Sequence, residues 1–206
     1  MPTTATTTKR GRPGYDQQSV LVIAVDVFNR HGYDATSIQT IADQAGVAKG
    51  LVLHHFRSKS SLLEAVLEEY FDAHTEVLQY ALRAADGSPR QQVHQLLDHT
   101  FDFMVEYHSH ARMVCYLAGR RDDKLPMLQR HARPLLALVE AALGGFLPTD
   151  GPLSVRQFYI TVGTMVAHSF AYAPLLDLGD GAEDMRREHV HWVADAMLDK
   201  LGLDPA

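Results

Sequence analysis

Apolar residues recur at spacings of three and four along most of this chain, and no stretch shows the alternation of a half-buried strand. From about Asp16 to Arg30, the positions Val20, Ile23, Ala24, Val27 and Phe28 fit one helical face, which stops at His31-Gly32. Ile38, Ile41, Ala42 and Ala45 share the face of a second, shorter helix, with Thr36 or Ser37 placed to cap it. Gly46 then supplies a turn that needs positive φ, Val47 follows as an apolar plug, and a third helix runs from about Ala48 through Leu53. The spacing predicts a three-helix unit around Phe28, Ile38, Ile41, Val47, Val52 and Phe56. Helix, short Gly turn, helix is the grammar of a DNA-reading helix-turn-helix, whose second helix enters the major groove.

The pattern then lengthens. Ser58 is placed to cap a helix from about Lys59 to Ala85, with a second capping pattern at Ser61-x-x-Glu64. Leu62, Leu63, Val66, Tyr70 and Phe71 are expected to face the three-helix unit, and Val77, Leu78, Ala81 and Leu82 the rest of the chain. Ser88-Pro89 opens a helix to about Tyr107, and a shorter one covers Ala111 to Ala118. Another spans about Leu125 to Phe146, where Pro134 is expected to kink or split it. The last two run from a Ser154 cap to Tyr172, ended by Pro174, and from about Glu183 to Leu201 after a loop over Asp177 to Gly181. The expected fold is all-α. A disordered basic arm (1–14) precedes a helix-turn-helix domain (15–60) and a second helical domain (61–206).

Charge sharpens this division. The net charge of −6 alone argues against a nucleic-acid binder. Its distribution does not: residues 1–60 carry seven Lys/Arg against four Asp/Glu, and the remainder twelve against twenty-one. A basic head on an acidic body lets the head meet phosphate while the body is held away. In the arm, Arg10-Gly11-Arg12-Pro13 resembles the core of an AT-hook, and Arg10 and Arg12 suit a narrow minor groove; a plain solvated basic tail is the other reading. Cys115 is the one cysteine, which excludes an intrachain disulfide and makes a reducing cytoplasm the simplest compartment. No apolar run approaches the length of a membrane span, and the N-terminus lacks the apolar core of a signal peptide.

Taken with this context, the first third of the chain resembles the DNA-binding domain of the TetR family of bacterial regulators. The resemblance is carried by Ala24, Phe28, Gly32, Tyr33, Thr36, Ile41, Ala42, Ala45, Gly46, Val47, Gly50, His55, Phe56, Lys59 and Leu62. Leu53 departs from it, since the family usually has a phosphate-contacting aromatic there. The resemblance implies a homodimer on a palindromic DNA operator, and a C-terminal domain that binds a small effector and dimerises through its last two long helices. It implies a repressor, with no enzymatic activity and no cofactor. A constitutive or architectural DNA-binding protein, whose body only dimerises, is the alternative.

Candidate residues follow for each role. Gln39, Ala48, Lys49, Leu51 and Val52 are placed to reach base edges, because Gln pairs with adenine, Lys with guanine, and aliphatic side chains touch the thymine methyl. Thr36, Ser37, Thr40, His54, His55, Ser58 and Lys59 are candidates for phosphate, with Lys59 matching the family's phosphate lysine and His55 alternatively packed under the long helix. Phe101, Met104, Tyr107, Met113, Cys115, Tyr116, Tyr159, Met165, His168 and Tyr172 either line an effector pocket or fill a core. Phe158, Val162, Val166, Phe170, His189, Trp192, Val193 and Ala196 either form the dimer interface or complete the monomer core. His108, His110 and Cys115 offer a weak metal pattern, while His189 and His191 point apart on a helix. No nucleophile elbow, P-loop or dinucleotide fingerprint occurs.

Overall fold

In the computed structural model, residues 17–120, 122–172 and 182–203 are described, and among them regular structure is helical throughout. The basic arm with Arg10 and Arg12, Pro174, the 177–181 loop and the side chain of Tyr172 lie outside the described residues. The head comprises α1 (Gln17–His31), α2 (Ile38–Ala45) and α3 (Lys49–Phe56). The body comprises α4 (Lys59–Ala84), α5 (Pro89–Gly119), α6 (Leu125–Leu143), α7 (Val155–Phe158), a π-helical turn (Tyr159–Gly163), α8 (Thr164–Tyr172) and α9 (Ala182–Asp199).

The helix ends follow from local chemistry. Ser37 caps α2, its Oγ accepting from the Thr40 N–H at 3.1 Å. Gly46, at φ +65°, closes α2 in a Schellman arrangement: its N–H donates to Asp43 O and the Val47 N–H to Ala42 O. Ser58 caps α4 through the Ser61 N–H, so Ser61 sits inside the helix rather than at its cap. Ser88 and Gln91 form a full capping box on α5, with Pro89 at its first position.

Four element boundaries differ from the spacing. The third helix continues through Phe56. The two helices expected over 89–118 do divide at Tyr107, where the backbone kinks (φ −101°, ψ 21°), but the second follows without a loop, so His108 and His110 lie on a helix. α6 runs through Pro134, which is exposed, and stops at Leu143. The helix ending at Tyr172 carries a π-turn at Tyr159–Gly163, the extra residue of a π-bulge, which hydrophobic spacing does not report.

One continuous apolar core runs from head to body. In the head, Phe28, Ile41, Ala42, Val52 and Phe56 are buried together, with Leu62, Leu63, Val66 and Leu67 of α4 against them. Val52, expected to reach bases, is fully buried and serves this core. Thr36 is likewise buried, its hydroxyl donating to Gly32 O at 2.8 Å, and so has no reach to phosphate. Lys59 is the larger correction. Its ammonium donates to the carbonyls of Tyr33 (2.8 Å), Asp34 (3.2 Å) and Thr36 (2.8 Å) and lies over the Tyr33 ring. An ammonium has three donors, and all three are occupied in bracing the α1–α2 loop.

In the body, α5 packs across α4 and α8 and also touches α1, α6 and α9. Tyr70 and Phe71 turn toward the body rather than the head, as do Phe101 and Tyr107 on α5. Phe101 packs on Phe170 and under the Arg187 guanidinium, inside the core. Tyr107 joins Tyr70, Phe103 and His110 in an aromatic cluster. The N-terminal half of α5 is stitched to α9: Arg90 donates to Asp195, Asp199 and Leu203 O, and Arg187 to Asp98 and Asp102.

Two imidazoles are buried in this packing. His74 stacks on Phe103 and His110 on Tyr70, and the Nε2 atom of each has no hydrogen-bond partner. Burial pulls both down to about 4, helped at His110 by neighbouring His108. Above pH 6.5 both are neutral in the folded and unfolded chain and contribute no pH dependence. Below it the unfolded chain takes protons that the folded one refuses, so stability falls as pH drops from 6.5 toward 4, by about 1.4 kcal/mol per unit for each group. Urea unfolding at pH 7.5 and pH 5 should show this acid loss, and the double variant His74→Phe/His110→Phe should shrink it. An unchanged loss in that variant would assign it to other groups.

Candidate functional site

α3 carries most of the candidate base-contacting residues. Val52 and Phe56 anchor it to the core, which leaves Ala48, Lys49, Gly50, His54 and His55 exposed and Leu51 at 37 %. His55 is therefore on the outside and not packed beneath α4, and Leu53 is half-buried. Ser37, Gln39 and Thr40 lie exposed on the first turn of α2; Ser37 bonds Thr40, and the Gln39 amide donates to Asp43. Sequence reasoning overlooked Arg57. It closes α3 at φ +58°, ψ −40°, with the Ser58 N–H turned back on Phe56 O in a tight γ-like turn. A side chain other than glycine is strained at this φ, and the turn leaves an exposed cation at the end of α3. Lys49 and Arg57 make no ion pair among the described residues, whereas Arg30 is paired with Asp26. Both therefore remain free for phosphate or bases.

The body encloses a cavity of about 470 Å³ between α4, α5, α6 and the α7–α8 helix. That lies within the roughly 300–1,000 Å³ range of small-molecule sites. Its floor is apolar: Leu78, Val93, Leu97, Leu135 and Val162 are buried there. Ala118, Gly119, Thr164 and His168 are both lining and exposed, and so mark its opening. Of the candidate pocket residues, Met104, Cys115, Tyr159 and His168 line this space. Met113 and Tyr116 instead border a smaller crevice of about 240 Å³ between head and body, with Phe28, Gly32 and Tyr33. Met165 lies on the opposite face of α8, against α9. Phe101 and Tyr107 are core.

The π-turn shapes one wall. The extra residue places Tyr159, Val162 and Gly163 along the cavity together. A Cβ on Gly163 would stand 3.3 Å from the Tyr159 ring, so glycine is what lets that ring lie flat against the helix. Burial raises the Tyr159 and Tyr70 hydroxyls well above the ordinary phenol, and it raises the Cys115 thiol. All three are protonated at neutral pH, and a thiol held protonated is unreactive. His74 was also overlooked, and Tyr70, expected to face the head, lines the cavity instead. A visible signal existed: His74 sits four residues after Tyr70 and four before Leu78, on an otherwise apolar stripe of α4.

The expected dimer face divides. Phe158, Val162, Val166 and Phe170 are buried inside the chain, because their side of the helix packs on α5. His189, Trp192 and Ala196 are exposed on α9 and Val193 is half-buried. Trp192 (67 %), Met185 (65 %) and, on the π-turn, Ile160 (53 %) are large apolar side chains left in water. For the metal pattern, His108 is exposed, His110 is buried and Cys115 faces the cavity; among the described residues no three His, Cys, Asp or Glu converge on a cation position. Among those residues, too, no helix is long and apolar enough to cross a membrane.

Residues 20–66 match the family described as bacterial regulatory proteins, tetR family. Over 105 residues the chain is 32% identical to the transcriptional repressor KstR2 of Mycolicibacterium smegmatis, spanning 51% of this chain and about half the length of that relative. It is 27% identical over 186 residues to the transcriptional regulator RutR of Escherichia coli, covering 86% of this chain and 84% of RutR. In architecture it is similar to the fatty acid degradation regulator FadR of Bacillus halodurans (TM-score 0.71, 18% identity, 89% of this chain and 96% of that one). It is also similar to FadR of Bacillus subtilis solved with stearoyl-CoA (TM-score 0.68, 16% identity, 90% and 97%). Each of these proteins is described as a regulator, KstR2 and RutR as helix-turn-helix transcriptional regulators. Residues 20–66 thus carry the domain of the tetR family of bacterial regulatory proteins, and the chain as a whole shares the fold of these regulators.

Proposed function

We propose that this chain is a ligand-responsive transcriptional repressor. It binds a palindromic operator as a homodimer and leaves it when a small, largely apolar effector fills the body cavity. The observation that carries this reading is the double duty of α4. Leu62, Leu63 and Val66 of that helix are buried against the head, and Tyr70, Phe71, His74 and Leu78 line the cavity one to four turns later. An occupant of the cavity therefore touches the helix on which the head is mounted. The second half of the reading is the exposed α9 face with Trp192 and Met185, since monomers rarely leave such side chains grouped in water. Two heads related by a two-fold axis would meet two half-sites.

A second mechanical connection supports coupling. Arg120, just past the end of α5, reaches Asp34 of the α1–α2 loop at 2.6 Å while also holding Asp122 and Tyr116. The preceding turn of α5 carries Ala118 and Gly119, at the opening of the cavity. Asn29 of α1 also donates to Ser109 O of α5 at 2.7 Å. Ligand-driven movement of α5 would thus be felt by the same loop that Lys59 braces.

The primary test is selection of bound DNA from a random pool, followed by release of the enriched duplex with apolar compounds and with stearoyl-CoA. A palindromic site that is freed by at least one compound is expected. Enrichment with no release by any of them would favour a constitutive DNA-binding protein, and binding that only tracks salt an architectural one. The cations can be sorted on the same duplex. Lys49→Ala and Arg57→Ala should each lower the salt slope of binding by about two, one phosphate contact being lost from each subunit of the dimer. Lys59→Met should instead lower stability by roughly 2 kcal/mol, or about 4–8 °C of Tm, because three loop carbonyls lose a charged donor. Arg120→Ala should keep unliganded operator affinity within about threefold yet cut the effector-induced change in that affinity by about fivefold. An effector response equal to wild type would remove the Arg120–Asp34 contact from the mechanism.

A further inference from the structure

The polar groups of the cavity wall restrict what can occupy it. Among the described residues, no Asp, Glu, Lys or Arg lines the space. Four of the polar atoms there are already engaged, whereas the half-buried Tyr159 hydroxyl makes no hydrogen bond among the described residues. Thr100 Oγ1 donates to Leu96 O and Thr164 Oγ1 to Ile160 O, His168 Nδ1 meets Thr164 O at 2.7 Å, and the Tyr70 hydroxyl meets Met104 Sδ. His74 is different. It lines the cavity, is only 4 % exposed, and has a ring nitrogen with no hydrogen-bond partner. Buried polar groups in folded proteins are nearly always satisfied, so an orphan on the wall of a ligand-sized space points to a partner that comes with the ligand. Stacking on Phe103, with ring centroids 4.4 Å apart, fixes the imidazole plane, while rotation about the ring bond exchanges which nitrogen faces the space.

The charge of the partner follows from the same wall. Burial keeps the imidazole neutral at physiological pH, so it offers one N–H donor and one lone pair and no positive charge. A carboxylate or phosphate placed inside would lose its water and meet no cation among the described residues, a large penalty in an apolar space. A neutral oxygen loses far less and gains one hydrogen bond. We propose that the effector is an uncharged, mainly hydrocarbon molecule bearing a carbonyl or hydroxyl group, and that His74 is the residue that hydrogen-bonds this group. The proposal rests on the cavity being the effector site.

The test uses the full chain and isothermal titration calorimetry at pH 7.5 with three probes of equal chain length, 1-dodecanol, 2-dodecanone and dodecanoate, each below its aggregation limit. Wild type should bind the alcohol and the ketone at least about tenfold more tightly than the carboxylate. His74→Phe preserves the ring that stacks on Phe103, should unfold at a temperature no lower than wild type at this pH, and should weaken alcohol and ketone by about 5–10-fold. His74→Leu serves the same purpose should the Phe variant fold poorly. Dodecanoate binding as tightly as the alcohol, or alcohol and ketone affinities untouched by both substitutions, would overturn the proposal while leaving the effector cavity in place. Failure of all three probes to bind wild type would overturn the cavity reading and the proposal with it.

Discussion

The coupling of head to body depends on the unbroken burial of one helix face. Along α4, Leu62, Leu63, Val66, Leu67, Tyr70, Phe71, His74, Leu78 and Ala81 are buried in succession, one or two per turn, with no polar break at the domain boundary. A helix of this kind moves as a rod, because every internal backbone bond is made and each turn is gripped by a packed side chain. Neither domain can shift along it without disturbing the contacts of the other. The division at residue 60, expected from charge, is thus a division of surface and not of core, since the apolar cluster is continuous across it.

The joint beside α4 works by a different kind of force. The loop from Tyr33 to Thr36 has three carbonyls on one ammonium, that of Lys59, while the Tyr33 ring receives Lys59 on one approach and Lys124 on another. Asp34 on the same loop receives Arg120. Three cations from the start of α4 and from the α5–α6 connection therefore converge on four residues. Such contacts are partly hydrated and each is individually weak. Together they form a linkage that can be rearranged without unfolding either core, which is what a switch requires and what a continuous apolar core does not allow.

Much of this was legible in the sequence where a local rule decides the outcome. Ser37, Gly46, Ser58 and Ser88-Pro89 act as the residue types dictate, because caps and turns depend on a few adjacent atoms. The apolar face of the head was equally plain, since Phe28, Ile41 and Phe56 have no other place to go. What depended on rotation about a helix axis was not. Tyr70 and Phe71 could face either domain, and only the packing of α5 turned them to the cavity. Phe158, Val162, Val166 and Phe170 made an apolar stripe that a monomer core and a dimer interface would explain equally, and α5 claimed it. Lys59 matched a phosphate lysine in type and position, but its fate was decided by three carbonyls that become neighbours only when the α1–α2 loop closes on it.

The cavity itself is the most informative departure from local rules. A close-packed interior resists an empty space of several hundred cubic ångströms, because the atoms lining it forfeit contacts. Here the emptiness is built in by several features acting together. Gly163 withholds a side chain beside Tyr159, and a π-turn rotates the lining residues. Ala118, Gly119, Ala142 and Ala167 place little volume where larger residues would close the gap. Filling any one of these positions would recover contacts, so their joint smallness runs against stability alone. An occupant that completes the packing binds the folded chain and not the unfolded one, and its binding energy adds directly to that of the fold. Under the proposed function, the portion of that energy that differs between two positions of α4 would be all that is available to move the heads. A ligand that fits both arrangements equally would stabilise the body and leave the operator occupied.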